Sequence, residues 1–222
     1  MTESETPTEG VWEGLLEVGA AKLGVVVSVT RTSDGSPKAT VDIPAQGAKG
    51  LTVDSMALDE IPRTGDERST LLAFLAWQRA TLARKCVGLE QDQLRIRSAE
   101  PSSLSLLGLV RHMADVERGW FRWELAGEDV PDRYSSPDDR DGAFDNVDTA
   151  DVDEAFAAWR EECARADEII SRRALEATGS HRSGREVSMR WILNHLIEEY
   201  SRHNGHADLL RERIDGATDR DA

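Results

Sequence analysis

Two periods of apolar residues run along this chain, and they predict different kinds of structure. From Val11 to Leu58 the apolar positions fall in short, β-branched runs: VWEGLLEV, KLGVVVSVTR, KATVDI and GLTVDSMAL. Turn-forming residues separate these runs at Gly19, at Ser33-Asp34-Gly35-Ser36-Pro37 and at Gly47-Ala48-Lys49-Gly50. Such a pattern predicts a small antiparallel β meander over residues 11–60, preceded by a polar, disordered tail at 1–10. A sheet of this size is marginal alone, and no chemistry is expected of it.

After EIPRTGDE, with Pro62 and Gly65 marking a boundary, the period lengthens to that of helices. The first predicted helix runs from Asp66 to Val87, with Leu71, Leu72, Leu75, Gln78, Leu82 and Cys86 near one face and Gly88 ending it. The second is capped at Ser103 and stops at Gly127, with a stripe of Leu106, Leu109, Met113, Val116, Trp120 and Trp123. Trp120, Trp123 and Trp191 are accordingly expected in the core, with one of them available to line a pocket. An acidic loop from Gly127 to Ala150 follows, long enough to be a crossover connection. Asp151 opens a third helix through Phe156, Trp159, Cys163, Ala166 and Ile170, ending near Ala177-Thr178-Gly179. Ser188 caps the fourth, whose stripe is Ile192, Leu196, Tyr200, Ala207, Leu210 and Ile214. The fold class is therefore mainly α: a four-helix bundle over residues 66–216 with a long crossover loop, a β meander before it, and a tail at 217–222.

Charge narrows the partners. A formal net charge of -15 leaves no basic cluster for phosphate, which argues against nucleic-acid and anionic-membrane surfaces. No apolar run reaches the ~20 residues of a membrane span, and the opening MTESETPTEG does not read as a signal peptide, so a cytoplasmic location is expected. Cys86 and Cys163 lack CxxC spacing and read as buried thiols rather than a disulfide.

The candidate chemistry lies in the last helix, where His195, Glu198, Glu199, His203 and His206 fall within twelve residues. Glu199 and His203 sit within the apolar stripe, and an inward carboxylate costs several kcal/mol unless something pairs with it. A metal ion is the natural partner. Residues eight apart are separated by about 12 Å along a helix, so His195 and His203 cannot share one ion bound at ~2.1 Å. Three chelating pairs remain, His195 with Glu199, Glu199 with His203, and His203 with His206, and Glu199 with His203 is best centred on the stripe. A third ligand must come from another helix, where His112 is the other helical histidine; His181 lies in a loop. The competing reading is a buried side-chain network joining Glu199 and His203 to Arg79 or Arg111. Asp115, Glu117 and Arg118, just after His112, read as a solvated helix face.

The segments DERSTLLAFLAWQRATLARKCVGL, SSLSLLGLVRHMADVERGWF and WILNHLIEEYSRHNGHADLLRERIDG resemble the DinB/YfiT-like superfamily of metal-binding four-helix bundles, in particular an actinobacterial branch. The related mycothiol-dependent maleylpyruvate isomerase shares the arrangement. The resemblance covers about two thirds of the chain, in the right segment order. It implies the metal ligands His112, Glu199 and His203, with Glu in place of the first histidine of the usual His-x3-His pair. His195, Arg202, Asn204 and His206 are then candidates for orienting the ligands or contacting substrate. Three N and O ligands leave a coordination position open, as catalytic zinc sites do. The resemblance implies that a low-molecular-weight thiol of the mycothiol type occupies that position and reacts with an electrophile, as a thiol S-transferase or an isomerase. Zinc is the first expectation, and the same ligands accept nickel, iron or manganese. Competing classes are a non-enzymatic metal-binding or dimerisation bundle and a metal-assisted hydrolase; bundles of this kind can form homodimers.

Overall fold

The computed structural model describes the backbone of residues 10–18, 21–31, 37–43, 48–52, 61–180 and 184–218, and the side chains of 61–179 and 184–218. The tail expected at 1–10 falls almost entirely outside these residues, as do His181 and positions 219–222 of the expected C-terminal tail. Two compact units divide the chain, residues 1–60 with 220–222 and residues 61–219.

In the first unit, strands β1 (Gly10–Val18), β2 (Ala21–Arg31), β3 (Pro37–Ile43) and β4 (Ala48–Thr52) form an antiparallel sheet in the order β1-β2-β3-β4. Each strand pairs with its neighbour in sequence, the meander its period predicts. Val18 pairs with Ala21 and Arg31 with Pro37, and the register shifts between Val41 and Ile43.

The second unit is the helical bundle. Helix α1 (Glu67–Cys86) starts at Asp66, whose carboxylate accepts from the Ser69 amide at 3.0 Å. A short α2 (Gln91–Arg95) follows, which has no stripe of its own and no counterpart in the expected elements. Helix α3 (Leu106–Glu117) is capped by Ser105 rather than Ser103, its hydroxyl accepting from the Gly108 amide at 3.1 Å. Helix α4 (Gly142–Asp145) lies inside the long loop, and α5 (Val152–Ser171) is capped by Asp151. Strands β5 (Thr178–Ser180) and β6 (Glu186–Ser188) pair antiparallel before α6 (Met189–Asp215), which Ser188 caps and Gly216, at φ 80°, ends. The third helix thus stops six residues before Ala177, because 178–180 pair with β6. Gly179 lies so close to the preceding helical segment that a Cβ there would stand 1.9 Å from the Glu124 carbonyl oxygen.

The second helix carries the main departure from its apolar stripe. Beyond Glu117 it widens into a π-helix over Arg118–Leu125. The wider turn shifts the inward face, so Phe121, Glu124 and Leu125 are buried while Trp123 is 37% exposed and Trp120 half-buried. Trp191 is 47% exposed. The expectation of three core tryptophans is corrected accordingly: 3.6-residue counting cannot register the extra residue of a π turn in the second helix, and in α6 the buried face at this level is Ile192 and Leu193, not Trp191. The core proper is Leu75, Leu82, Leu107, Met113, Phe121, Ile192, Leu196 and Tyr200, all at most 1% exposed. Each such side chain contributes about 1.5–3 kcal/mol by leaving water.

Glu117 is fully buried rather than solvated, and it ties α1, α3, α5 and α6 together. Arg79 grips it with two bonds of 2.7 Å, and the Tyr200 hydroxyl donates to it at 2.8 Å while accepting from the Trp159 indole at 2.8 Å. Asp115, 8% exposed, accepts from the amides of Arg133 (2.6 Å), Tyr134 (3.2 Å) and Ser135 (3.1 Å), which fastens the long loop to α3. Arg118 pairs with Glu162 at 2.7 Å. All three residues expected on a solvated face are spent on packing contacts, because α5 and the loop cover that side of α3.

Candidate metal centre

Helix α6 places Glu199 and His203 one turn apart, and α3 presents His112 to them from across the bundle. One ligand atom from each of His112, Glu199 and His203 lies within 4.8 Å of the others. His203 Nε2 is 3.4 Å from Glu199 Oε2, and the His112 and His203 rings meet edge to face at 4.7 Å. Ligand atoms bonded at ~2.1 Å to one tetrahedral ion stand about 3.4 Å apart, so the pair on α6 has the spacing of a chelate. Burial disfavours the charged form of both imidazoles. It depresses His112 to about 4, with the neighbouring His203 acting in the same direction and Glu199 against it. His203 also falls to about 4, by burial first and then by His206 and Arg202. Both rings are therefore neutral at pH 7 and offer lone pairs.

The surrounding residues separate into those at the cluster and those away from it. His206 Nδ1 lies 3.3 Å from His203 Nδ1, which leaves Nε2 of His203 facing Glu199. Arg202 donates to Glu199 Oε1 at 3.2 Å and also to Glu198. His195 reaches Glu198 Oε2 with Nδ1 at 3.4 Å and approaches Glu199 Oε1 with Nε2 at 3.8 Å. His195, Glu198 and Glu199 form a second group with ligand atoms within 4.8 Å of one another. Asn204, by contrast, is buried and turned to α1, where its amide donates to the Gln78 carbonyl and side-chain oxygens at 3.0 and 2.7 Å. Arg79 is engaged by Glu117, and the Arg111 guanidinium stacks 4.4 Å over Tyr134, so neither forms the expected alternative partner of Glu199 and His203.

Sequence reasoning missed Phe144 and placed the tryptophans beside His195 chiefly in the core. The Phe144 ring packs 5.2 Å from His112 and close over Gly108, where an added Cβ would meet it at 2.8 Å. Trp120 and Trp191 flank His195 at 4.6 and 4.9 Å. Phe144 belongs to a four-residue helix without a readable period, while the tryptophans carried a signal, their number on one seam, that was read as core.

A helical bundle with these segments in this order is DinB-like. Residues 70–216 match the model of the family described as Mycothiol-S-transferase, and the chain belongs to that family. No curated protein matches the chain. Among solved structures it is similar to mycothiol-dependent maleylpyruvate isomerase, crystallised as a histidine-to-alanine variant, at 17% identity and a TM-score of 0.49. That match covers 63% of this chain and 60% of the isomerase chain.

Proposed function

We propose that this protein is a metal-dependent enzyme that activates mycothiol and joins the thiol through its sulfur to an electrophile, displacing the electrophile's leaving group where it has one. The observation that carries the reading is the convergence of His112, Glu199 and His203 from two helices, in a chain whose family is named for mycothiol S-transfer. The donor set suits a divalent ion, and zinc first: two neutral imidazoles and one carboxylate are N and O ligands at chelating spacing. An ion bound there would supply Lewis-acid charge that makes a thiol acidic enough to react as thiolate at neutral pH.

The chain's own residues do the rest. Burial holds both imidazoles neutral, ready to donate lone pairs. His206 faces the far nitrogen of His203 and fixes its ring, and the Phe144 ring closes one side of His112 against water. The two cysteines are poor nucleophiles. Burial pushes Cys86 up to about 12, and it raises Cys163 well above its ordinary value, with Glu117 adding to the effect. A reactive sulfur is therefore best supplied by a cosubstrate, and no protein nucleophile is required.

The test is conjugation of mycothiol to a chlorobimane by zinc-loaded protein purified without a His tag. Conjugation that disappears in His112→Ala supports transfer. A loaded protein that neither binds mycothiol nor forms conjugate contradicts it.

A further inference from the structure

The seam between the π-helical segment and the first half of α6 holds an aromatic group that the ion site does not use. Trp191 stacks on His195 at 4.9 Å and 21°, Trp120 meets His195 edge-on at 4.6 Å, and the two indoles are 5.2 Å apart. Leaving Trp191 47% exposed forgoes apolar burial, and the π turn that holds Trp120 on this seam is a rare element that is frequent at functional sites. The rim is acidic. Glu198 is 51% exposed and Glu199 15%; they share Arg202 and His195, and each carboxylate can accept further hydrogen bonds.

We propose that this seam is a ring-binding subsite, in which Trp191 and Trp120 stack against the C–H face of a polyhydroxylated ring while Glu198 and Glu199 accept hydrogen bonds from its hydroxyls. Aromatic faces bind such a ring through its apolar side, and the rim carboxylates match its donors. A planar apolar occupant would take water from the remaining lone pairs of Glu198 and Glu199 and return no donor, and an anionic one would meet two carboxylates against the single cation of Arg202. Distance agrees as well. Trp191 lies eight residues, about 12 Å, along α6 from Glu199 and twelve residues, about 18 Å, from His203, so one extended molecule can place sulfur at the ion site and a ring on the tryptophans. The inference rests on the mycothiol reading only in taking the ring to be part of the thiol cosubstrate.

Saturation-transfer NMR with methyl α-D-glucopyranoside, on both metal-free and zinc-loaded protein, tests the subsite apart from the ion chemistry. Transfer to the ring C–H protons is expected with either form, weakened about fivefold in Trp191→Ala and retained in Trp191→Phe. The same alanine variant should raise the KM for mycothiol about fivefold at unchanged kcat, and leave the KM for N-acetylcysteine, which has no ring, where it was. Loss of metal binding with intact glucoside transfer would remove the ion reading alone. No transfer from wild type, equal transfer from Trp191→Ala, or displacement of the glucoside by benzoate overturns the subsite.

Discussion

Helices α3 and α6 carry two buried polar groups, and they are built on opposite principles. In the knot around Glu117, every donor meets an acceptor: Arg79 and Tyr200 donate to the carboxylate, and Trp159 donates to Tyr200. In the cluster around Glu199, donors are fewer than lone pairs: the two neutral imidazoles carry one N–H each, and the carboxylate, 3.4 Å from His203, accepts from Arg202 at 3.2 Å. The first arrangement is complete within the chain and fixes the packing of four helices. The second has lone pairs to spare, which a divalent cation would accept. A buried polar group therefore reads as architecture or as a site according to whether its donors and acceptors balance.

The largest expected effect falls on the complete group. Arg79→Met leaves Glu117 buried and uncompensated, and should cost about 3–5 kcal/mol of unfolding free energy in urea titration. Adding Glu117→Leu should recover much of that loss; a single variant as stable as wild type would break the contrast. At the other group the effect should appear in binding rather than folding. His206→Ala, which removes the residue facing His203 Nδ1, should weaken zinc binding by about 10–100-fold in competition with a chromophoric chelator, with little change in stability. Smaller still, Tyr200→Phe should cost about 1 kcal/mol in the knot and leave zinc affinity unchanged.

Acidity separates the two groups in one more way. His112 and His203 titrate near 4 in the folded chain and near 6.5 when unfolded. Between those values the unfolded chain takes up protons that the folded chain refuses. The metal-free protein should thus hold the full stability from these groups above about pH 6.5 and lose it as pH falls toward about 4. Zinc affinity, in turn, should stay nearly flat from pH 7 down to about 5. A steep loss of affinity centred near 6.5 would mean that the rings are not held neutral by burial.

Much of this contrast was legible in the linear chain, but not evenly. Glu199 and His203 declare themselves because two polar residues interrupt an otherwise apolar stripe at a chelating interval, and helix rise separates His195 from His203. His112 carries no such signal, since its meaning depends on which helix α6 packs against; it was singled out as the other helical histidine, and the family resemblance made it a ligand. The knot was hidden for a related reason: Glu117 ends the regular part of α3, and only the cover of α5 puts it inside. The π turn that follows moved Trp123 outward. Asn204, beside His203 in sequence, points to Gln78 because adjacent helical residues face directions about 100° apart. The meander, the start at Asp151 and the cap at Ser188 were plain, because local turn and capping chemistry does not wait for tertiary contacts, whereas the cap of α3 was read two residues early.

The central claim is that the cluster at His112, Glu199 and His203 is completed by a cation while the knot at Glu117 is complete without one. Metal analysis of tag-free wild type, His203→Ala and Tyr200→Phe tests both halves in one experiment. The account predicts about one divalent ion per chain in wild type and Tyr200→Phe and less than about a tenth of that in His203→Ala. Metal-free wild type, or equal metal content in His203→Ala, would contradict it.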